Sequence, residues 1–171
     1  TKFYKADSIE PIEFYGNCYN GNADLFTTMS YLPHVDTFPG ADKDINPLND
    51  YAFNLNVTKS DKVKTAFYSF NGKKSVCDWT PDDYDDHDRV RDRHKKIKAK
   101  DWRLLSSENF QNYQLEYVAN IEYNSLILYP SHYWHSVYIK EDWFTDTDRV
   151  TFTGFFETKT TSSKRKKLGF G

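Results

Sequence analysis

The chain has 171 residues and a formal net charge of −2, a length that allows one domain with a sizeable core. Aromatic residues make up 18% of it. This share excludes the composition of a disordered protein and favours a β-rich fold, because aromatic side chains suit a half-buried pleated surface. The small net charge argues against non-specific binding to nucleic acid or membranes. No apolar run approaches the roughly 20 residues of a membrane span.

The two cysteines, Cys18 and Cys77, are too few for a disulfide framework. We therefore expect reduced thiols and a cytoplasmic location.

The first half of the chain predicts strands separated by a long loop. Residues 23–34 form a strand-like stretch, and residues 37–50 contain the Gly, Pro, Asp and Asn residues of a surface loop. Residues 51–57 and 63–70 are typical β-strands, and the short polar stretch between them predicts a hairpin.

The end of the first strand-like stretch carries the triplet His34-Val35-Asp36. A spacing of two places His34 and Asp36 on the same side of an extended segment. As an isolated motif, the triplet indicates either two ligands of a metal site or an ordinary polar loop.

A charged segment in the middle of the chain predicts a helix over about 83–104. Val90, Ile97 and Leu104 fall seven apart and form one narrow apolar stripe. Acidic residues near the start and basic residues near the end also suit the helix dipole. We expect a solvated surface helix that carries His87 and His94 on its exterior, with a substrate lid as the alternative.

The second half of the chain predicts four more strands, at 113–120, 125–130, 134–139 and 149–157. Turn signals at the spacing of about 8–12 residues predict a sandwich or jelly roll.

Two of these strands carry informative patterns. Leu126-Ile127-Leu128 is apolar on both faces, which predicts an inner strand. Arg149, Thr151 and Thr153 share one face of the last strand. This cationic and hydroxylic row suits a pocket that binds a carboxylate.

The order of these motifs resembles the Fe(II)- and 2-oxoglutarate-dependent oxygenases of the prolyl-4-hydroxylase-like and phytanoyl-hydroxylase-like type, in particular a branch of small proteins from phages and marine bacteria. The resemblance covers roughly residues 25–157 and lies in order and spacing. It is carried by His34-Val35-Asp36, by "TAFYSF" at 65–70, by "LILYPSHYWHSV" with His135, and by Arg149-Val150-Thr151.

This resemblance implies a mainly β fold, the double-stranded β-helix (jelly roll, cupin-like). It would be one oxygenase domain over residues 1–158, with a charged helical insertion at about 78–112. Residues 159–171 would be a basic, flexible tail, with an interaction role for its lysines as the alternative.

The resemblance also assigns roles to individual residues. His34, Asp36 and His135 would bind Fe(II), with His132 as the alternative to His135. Arg149, assisted by Thr151, would bind the cosubstrate 2-oxoglutarate, and O2 would take the remaining position on the metal.

The sequence departs from the family at two of its sites. Val63-Lys64 replaces the Gly-Gly that usually precedes the "TAFYSF" strand, and Asn54 stands where the family often has a tyrosine that contacts the cosubstrate.

The function implied is that of a dioxygenase, a hydroxylase that couples decarboxylation of 2-oxoglutarate to oxidation of a protein side chain or a small molecule. Neither membranes nor nucleic acid are expected partners, and the expected location is the cytoplasm of a bacterium or a phage-infected host cell. Two alternatives stay open: a non-catalytic jelly-roll protein that binds a partner or belongs to a phage particle, and a metal-dependent cupin that does not use 2-oxoglutarate.

Overall fold

The computed structural model describes residues 8–19, 33–36, 50–94, 112–140 and 143–159. This part of the chain is mainly β, as its composition predicts, and has one α-helix. The strands are β1 (Ser8–Tyr19), β2 (Asp50–Asn56), β3 (Lys64–Phe70), β4 (Tyr113–Asn120), β5 (Leu126–Pro130), β6 (His135–Tyr138) and β7 (Arg149–Lys159), the helix is α1 (Pro81–His94), and a 3-10 turn covers Val76–Asp78.

The strands form two antiparallel sheets. The first has the order β1-β7-β2-β5 and the second the order β4-β3-β6. The hairpin predicted from residues 51–57 and 63–70 is therefore wrong, because β2 and β3 belong to different sheets. The link after β2 is held by Asn56, whose side chain accepts from the Thr58 N–H at 2.7 Å and donates to the Ile121 carbonyl at 2.7 Å.

Among the described strands, β5 is not an inner strand. In the described part of the chain it lies at the edge of its sheet, and Leu126 and Leu128 are 56% and 55% exposed. Leu126-Ile127-Leu128 is apolar on both faces, but only one face of the strand is covered. Tyr129 lies on the covered face and is buried.

Strand β1 is an element that the sequence did not predict. Its neighbour in the sheet is β7, and the register shifts between Pro11 and Glu13. A proline is tolerated at such an irregularity of an edge strand because it cannot donate to the sheet. Most of the strand-like stretch predicted at 23–34 lies outside the described residues, which include only its last two positions.

Helix α1 begins at Pro81, two residues before the predicted start. Val90 is buried in a core cluster with Phe70 and Trp134, so the predicted apolar stripe is anchored at this position. The remaining positions of the stripe, Ile97 and Leu104, lie outside the described residues.

The prediction that His87 is a solvated surface residue is wrong. Its side chain is only 15% exposed, and its ring centroid lies 5.2–5.8 Å from those of Phe70, Trp79 and Trp134. His87 precedes Val90 by three residues and therefore shares its inward face. The side chain of His94 lies outside the described residues.

The C-terminal strand continues to Lys159, the first residue of the predicted tail, and residues 160–171 lie outside the described part. Within the described residues, no helix is both long and apolar enough to cross a membrane.

Candidate active site

A cavity of about 440 Å³ lies between the two sheets. Residues of β1, β2, β5 and β7 line it on one side and residues of β3 and β6 on the other, and residues of the segment 33–36 complete the lining. The cavity is lined by Tyr15, Asn17, Cys18, Tyr19, His34, Val35, Asp36, Asn54, Thr65, Tyr129, His135, Ser136, Val137, Arg149, Thr151 and Thr153. No residue of α1 is among them, so the described helix is not a lid over this cavity.

His34, Asp36 and His135 converge at the cavity. One ligand atom from each side chain lies within 4.8 Å of the others. Nε2 of His34 is 3.9 Å from Oδ1 of Asp36, and Nε2 of His135 is 3.4 Å from Oδ2 of the same carboxylate. The structure therefore brings together the three residues that the sequence singled out as metal ligands.

The backbone fixes this arrangement. His34 and His135 form an antiparallel bridge, and the Asp36 N–H donates to the Ser131 carbonyl at 2.9 Å. Val35 lies between His34 and Asp36 in the chain and belongs to a buried core cluster. The period of two thus directs His34 and Asp36 to the cavity while Val35 anchors the segment.

His135 presents the correct nitrogen for a metal. Its Nδ1 lies 2.9 Å from the carbonyl oxygen of Tyr133. Because a carbonyl can only accept, Nδ1 carries the proton and Nε2 keeps its lone pair beside Asp36. Burial lowers the pKa of His135, which keeps the imidazole in the neutral form that binds metals.

Asp36 has a carboxylate oxygen that is buried at the cavity. Its Oδ2 is buried and has no hydrogen-bond partner. Burial raises the pKa of Asp36, and the nearby His34 opposes this rise only in part. A buried carboxylate oxygen without a partner is costly, and a metal ion would compensate it. Two imidazoles and one carboxylate are the donor set of the non-haem Fe(II) facial triad, so the residues present fit this metal.

The alternative ligand His132 lies outside this group. It is buried, and its Nδ1 is 2.8 Å from Oγ of Ser75. The same oxygen accepts from the Cys77 N–H, so the Ser75 hydroxyl proton is directed to His132. His132 therefore stabilises the start of the 3-10 turn.

The row on β7 faces the cavity, as the alternation predicts. Arg149, Thr151 and Thr153 are all buried, and Arg149 is only 2% exposed. Its Nη1 donates to Oγ1 of Thr151 at 3.2 Å, and Thr153 Oγ1 accepts from the Asn17 amide at 2.9 Å. The row thus brings a fixed guanidinium into the cavity that holds the His-Asp-His group.

Asn54 also lies on the cavity wall, and the structure adds Tyr129 and Thr65, which the sequence did not single out. Tyr129 lines the same cavity as Asn54, and its ring centroid is 4.6 Å from that of His135. The buried Oδ1 of Asn54 and Oγ1 of Thr65 have no hydrogen-bond partner. Alternation along β5 and β3 was the available signal for both residues, but their facing direction depends on which sheet covers each strand.

Strand β1 was not predicted from the sequence, so its residues on this wall were not predicted either. Tyr15 and Asn17 alternate toward the cavity, and Tyr15 is 40% exposed. Burial, and to a smaller extent the charge of Asp36, raise the pKa of Tyr15, which lines the same cavity as the His-Asp-His group.

No protein-family model and no curated protein sequence matches the chain. Among solved structures, the chain is similar to a crystal structure of an N-substituted L-amino acid dioxygenase from Burkholderia ambifaria AMMD in complex with alpha-KG. The match covers 83% of this chain and 47% of the dioxygenase chain, with 12% identity and a TM-score of 0.43. The match to a second crystal structure of this dioxygenase covers 86% of this chain and 50% of the dioxygenase chain, with 14% identity and a TM-score of 0.45. The chain thus spans about half the length of these structures.

Proposed function

We propose that the chain is an Fe(II)- and 2-oxoglutarate-dependent dioxygenase, a hydroxylase built on a double-stranded β-helix over residues 1–158. One observation carries this proposal. The ligand atoms of His34, Asp36 and His135 converge within 4.8 Å in the same cavity that contains the buried guanidinium of Arg149.

The chain's own residues would have two tasks. His34, Asp36 and His135 would hold the metal. Arg149, positioned by Thr151, would bind the far carboxylate of 2-oxoglutarate in a two-pronged, charge-assisted manner. With O2, the bound iron and cosubstrate supply the oxidation itself.

The buried arginine distinguishes this proposal from a cupin that uses no 2-oxoglutarate. Such a protein would share the His-Asp-His group, but its chemistry does not require a guanidinium in the metal cavity. Recognition of an anionic cosubstrate gives the guanidinium a role in this cavity.

The proposal is tested by anaerobic titration of the protein with Fe(II) and 2-oxoglutarate. We expect the weak visible charge-transfer band of a keto acid bound to iron through two oxygens, and we expect His135→Ala to abolish it. His132→Gln is the matched control, since it changes a nearby imidazole outside the group, and it should keep the band once circular dichroism shows that it folds. Absence of the band in the wild type, or its persistence in His135→Ala, overturns the proposal.

A further inference from the structure

The row of residues that contains the two histidines continues across the three-stranded sheet. His34 bridges His135, and His135 pairs with Phe67 of β3. Phe67 in turn pairs with Tyr117 of β4. Residues directly opposite each other in antiparallel strands direct their side chains to the same face of the sheet. Phe67 and Tyr117 therefore share the face that carries the His135 side chain.

Aromatic rings follow one another along this row, from the candidate metal ligand to the edge of the sheet. The ring centroid of Phe67 lies 6.4 Å from that of His135. The rings of Phe67 and Tyr117 are stacked, with centroids 6.5 Å apart and an angle of 22° between their planes. Tyr129 of the opposite sheet meets Phe67 edge to face at 5.3 Å. Phe67 and Tyr117 together are called the aromatic platform below.

Exposure to solvent increases along the platform. His135 is 5% exposed, Phe67 is half-buried, and Tyr117 is 64% exposed. Tyr117 is the most exposed of the large hydrophobic side chains in the described part of the chain. A ring this open contributes little to the core, and exposed apolar surface beside a candidate site indicates a binding surface. The platform thus connects the candidate metal site with solvent, where a substrate would enter.

The edge of the platform carries no unbalanced charge at Glu116. This residue is the extra residue of a β-bulge in β4, where the register shifts directly after Phe67. The Ser69 hydroxyl donates to Oε1 of Glu116 at 2.7 Å, and Oε2 lies 3.3 Å from Nζ of Lys74. Both carboxylate oxygens therefore have a partner, and the ion pair balances the charge. The platform suits an uncharged group better than a cation.

We propose that the aromatic platform binds the substrate, and that the substrate carries a flat, uncharged ring that stacks on Phe67 and Tyr117. This inference rests on the proposed function and names the class of its substrate, because the platform begins beside the candidate ligand His135. Aromatic faces prefer the offset-stacked or edge-to-face contacts that a second flat ring provides. Phe67 and Tyr117 are thus specificity-determining residues.

The test uses the protein loaded with Mn(II) and 2-oxoglutarate and measures the binding of N-acetyl amino acid amides by NMR titration. The tryptophan amide carries a flat ring, the leucine amide an apolar side chain without a ring, and the lysine amide a cation. We expect the tryptophan amide to bind about 5-fold more tightly than the other two, the effect of one aromatic contact. Its ring protons should relax faster with the Mn(II) protein than with the Zn(II) protein, because Mn(II) is paramagnetic and the platform begins beside the metal site.

Substitutions separate the flat ring from the apolar volume of the side chain. Phe67→Leu and Tyr117→Leu remain apolar but lack the ring, and each should weaken binding of the tryptophan amide about 5-fold. Tyr117→Phe keeps the ring and should restore the affinity of the wild type. Tyr123→Leu is the matched control, since Tyr123 is also exposed but lies in the turn between β4 and β5, and it should bind the amide as the wild type does.

The proposed function and the platform fail in different ways. Failure of the wild-type Mn(II) protein to bind 2-oxoglutarate overturns the proposed function and, with it, the assignment of a substrate. If 2-oxoglutarate binds, the platform alone is overturned by equal affinity for all amides, by no binding of the tryptophan amide, by ring protons that do not respond to Mn(II), or by an unchanged Tyr117→Leu. Because Tyr117 is largely exposed, its substitution is decisive even if Phe67→Leu does not fold.

Discussion

His34 and His135 exchange both of their backbone hydrogen bonds, with each N–H donating to the other residue's carbonyl oxygen at 2.9 Å. This bridge brings the two imidazole rings to a centroid distance of 4.5 Å. The residues come from distant parts of the chain, so the candidate metal site exists only in the folded protein. Binding of a metal ion by these side chains would therefore be linked to folding.

The first prediction follows from this linkage. A ligand that binds only the folded state stabilises it by about 2.7 kcal/mol at 100 times its dissociation constant. We expect Mn(II) or Zn(II) to raise the Tm of the wild type, and a chelator to reverse the rise. Asp36→Ala and His135→Ala should lose the rise because each removes one of three ligands. Thermal unfolding followed by circular dichroism measures it, and an equal rise in these variants would argue against the site.

The second prediction concerns the shape of the Arg149 side chain. Arg149→Lys keeps the positive charge but replaces the planar fork with a point charge. We expect 2-oxoglutarate to bind the Mn(II)-loaded variant about 10–100-fold more weakly, a loss of one or two charged hydrogen bonds, with Mn(II) binding unchanged. Calorimetry measures both. Arg89→Lys, the same substitution on the exposed face of α1, is the control and should bind as the wild type does. Unchanged affinity in Arg149→Lys would contradict the role of the guanidinium.

The third prediction is a pH dependence of stability at the start of α1. Asp83 accepts from Lys73 and from the N–H and hydroxyl of Thr80, at 2.7 and 2.6 Å for the latter two. These hydrogen bonds, that of Lys73 first, hold the pKa of Asp83 well below its usual range. A carboxyl whose pKa is lower in the folded than in the unfolded state stabilises the fold above its unfolded pKa, and this contribution is lost as the pH falls toward the folded pKa.

Asp83→Asn should therefore lower the free energy of unfolding by about 1 kcal/mol near pH 7, the usual size of a helix-cap interaction. The difference from the wild type should shrink as the pH falls below about 4, the ordinary pKa of an aspartate. Urea unfolding at a series of pH values measures it. Asp82→Asn, one residue earlier on the exposed face of α1, should show little effect. A difference for Asp83→Asn that stays constant down to pH 2 would rule out this origin.

Local periodicity predicts which candidate site residues share a face, and their roles in a site were implied by the resemblance in motif order. A spacing of two aligns His34 with Asp36, and Arg149 with Thr151, whatever the rest of the chain does. The resemblance in motif order then implied that these two pairs and His135 belong to one site. Convergence in space still required the bridge between distant strands.

What could not be predicted depends on contacts between distant elements. Strand β1 contains Pro11 and Gly16, residues that local patterns associate with turns, and it is a strand because β7 pairs with it. The stretch between β2 and β3 reads as a hairpin turn, yet the buried side chain of Asn56 ties it to Ile121. The turn residues alone do not determine whether two consecutive strands pair in the same sheet.

The same limit applies to which faces are covered. Leu126 and Leu128 are apolar but exposed, and His87 is polar but packed among aromatic rings. Hydropathy indicates whether a side chain favours exposure or burial. The packing of the neighbouring elements decides which of the two occurs. For the same reason, the sequence did not predict that the Tyr129 side chain faces the cavity, because this depends on which face of β5 is covered.

The fourth prediction uses the outer face of the four-stranded sheet, away from the cavity. Gly154 of β7 lies between Phe14 of β1 and Phe53 of β2 in the register, and the two phenylalanine rings approach to a centroid distance of 6.0 Å above it. A Cβ added at Gly154 would overlap the ring of Phe53 and come within 3.2 Å of Cδ2 of Phe14. Glycine here makes room for the rings.

Gly154→Ala should destabilise the fold by about 1–3 kcal/mol, the usual cost of forcing an extra methyl into packed side chains. In a Phe53→Leu background, which removes the overlapping ring atoms, the same substitution should cost clearly less, and the coupling between the two changes should be at least about 0.5 kcal/mol. Urea unfolding of the four proteins closes this double-mutant cycle. Mn(II) binding should be equal in all of them, since neither residue lines the cavity. Strictly additive losses would mean that the ring of Phe53 is not what excludes a side chain at position 154.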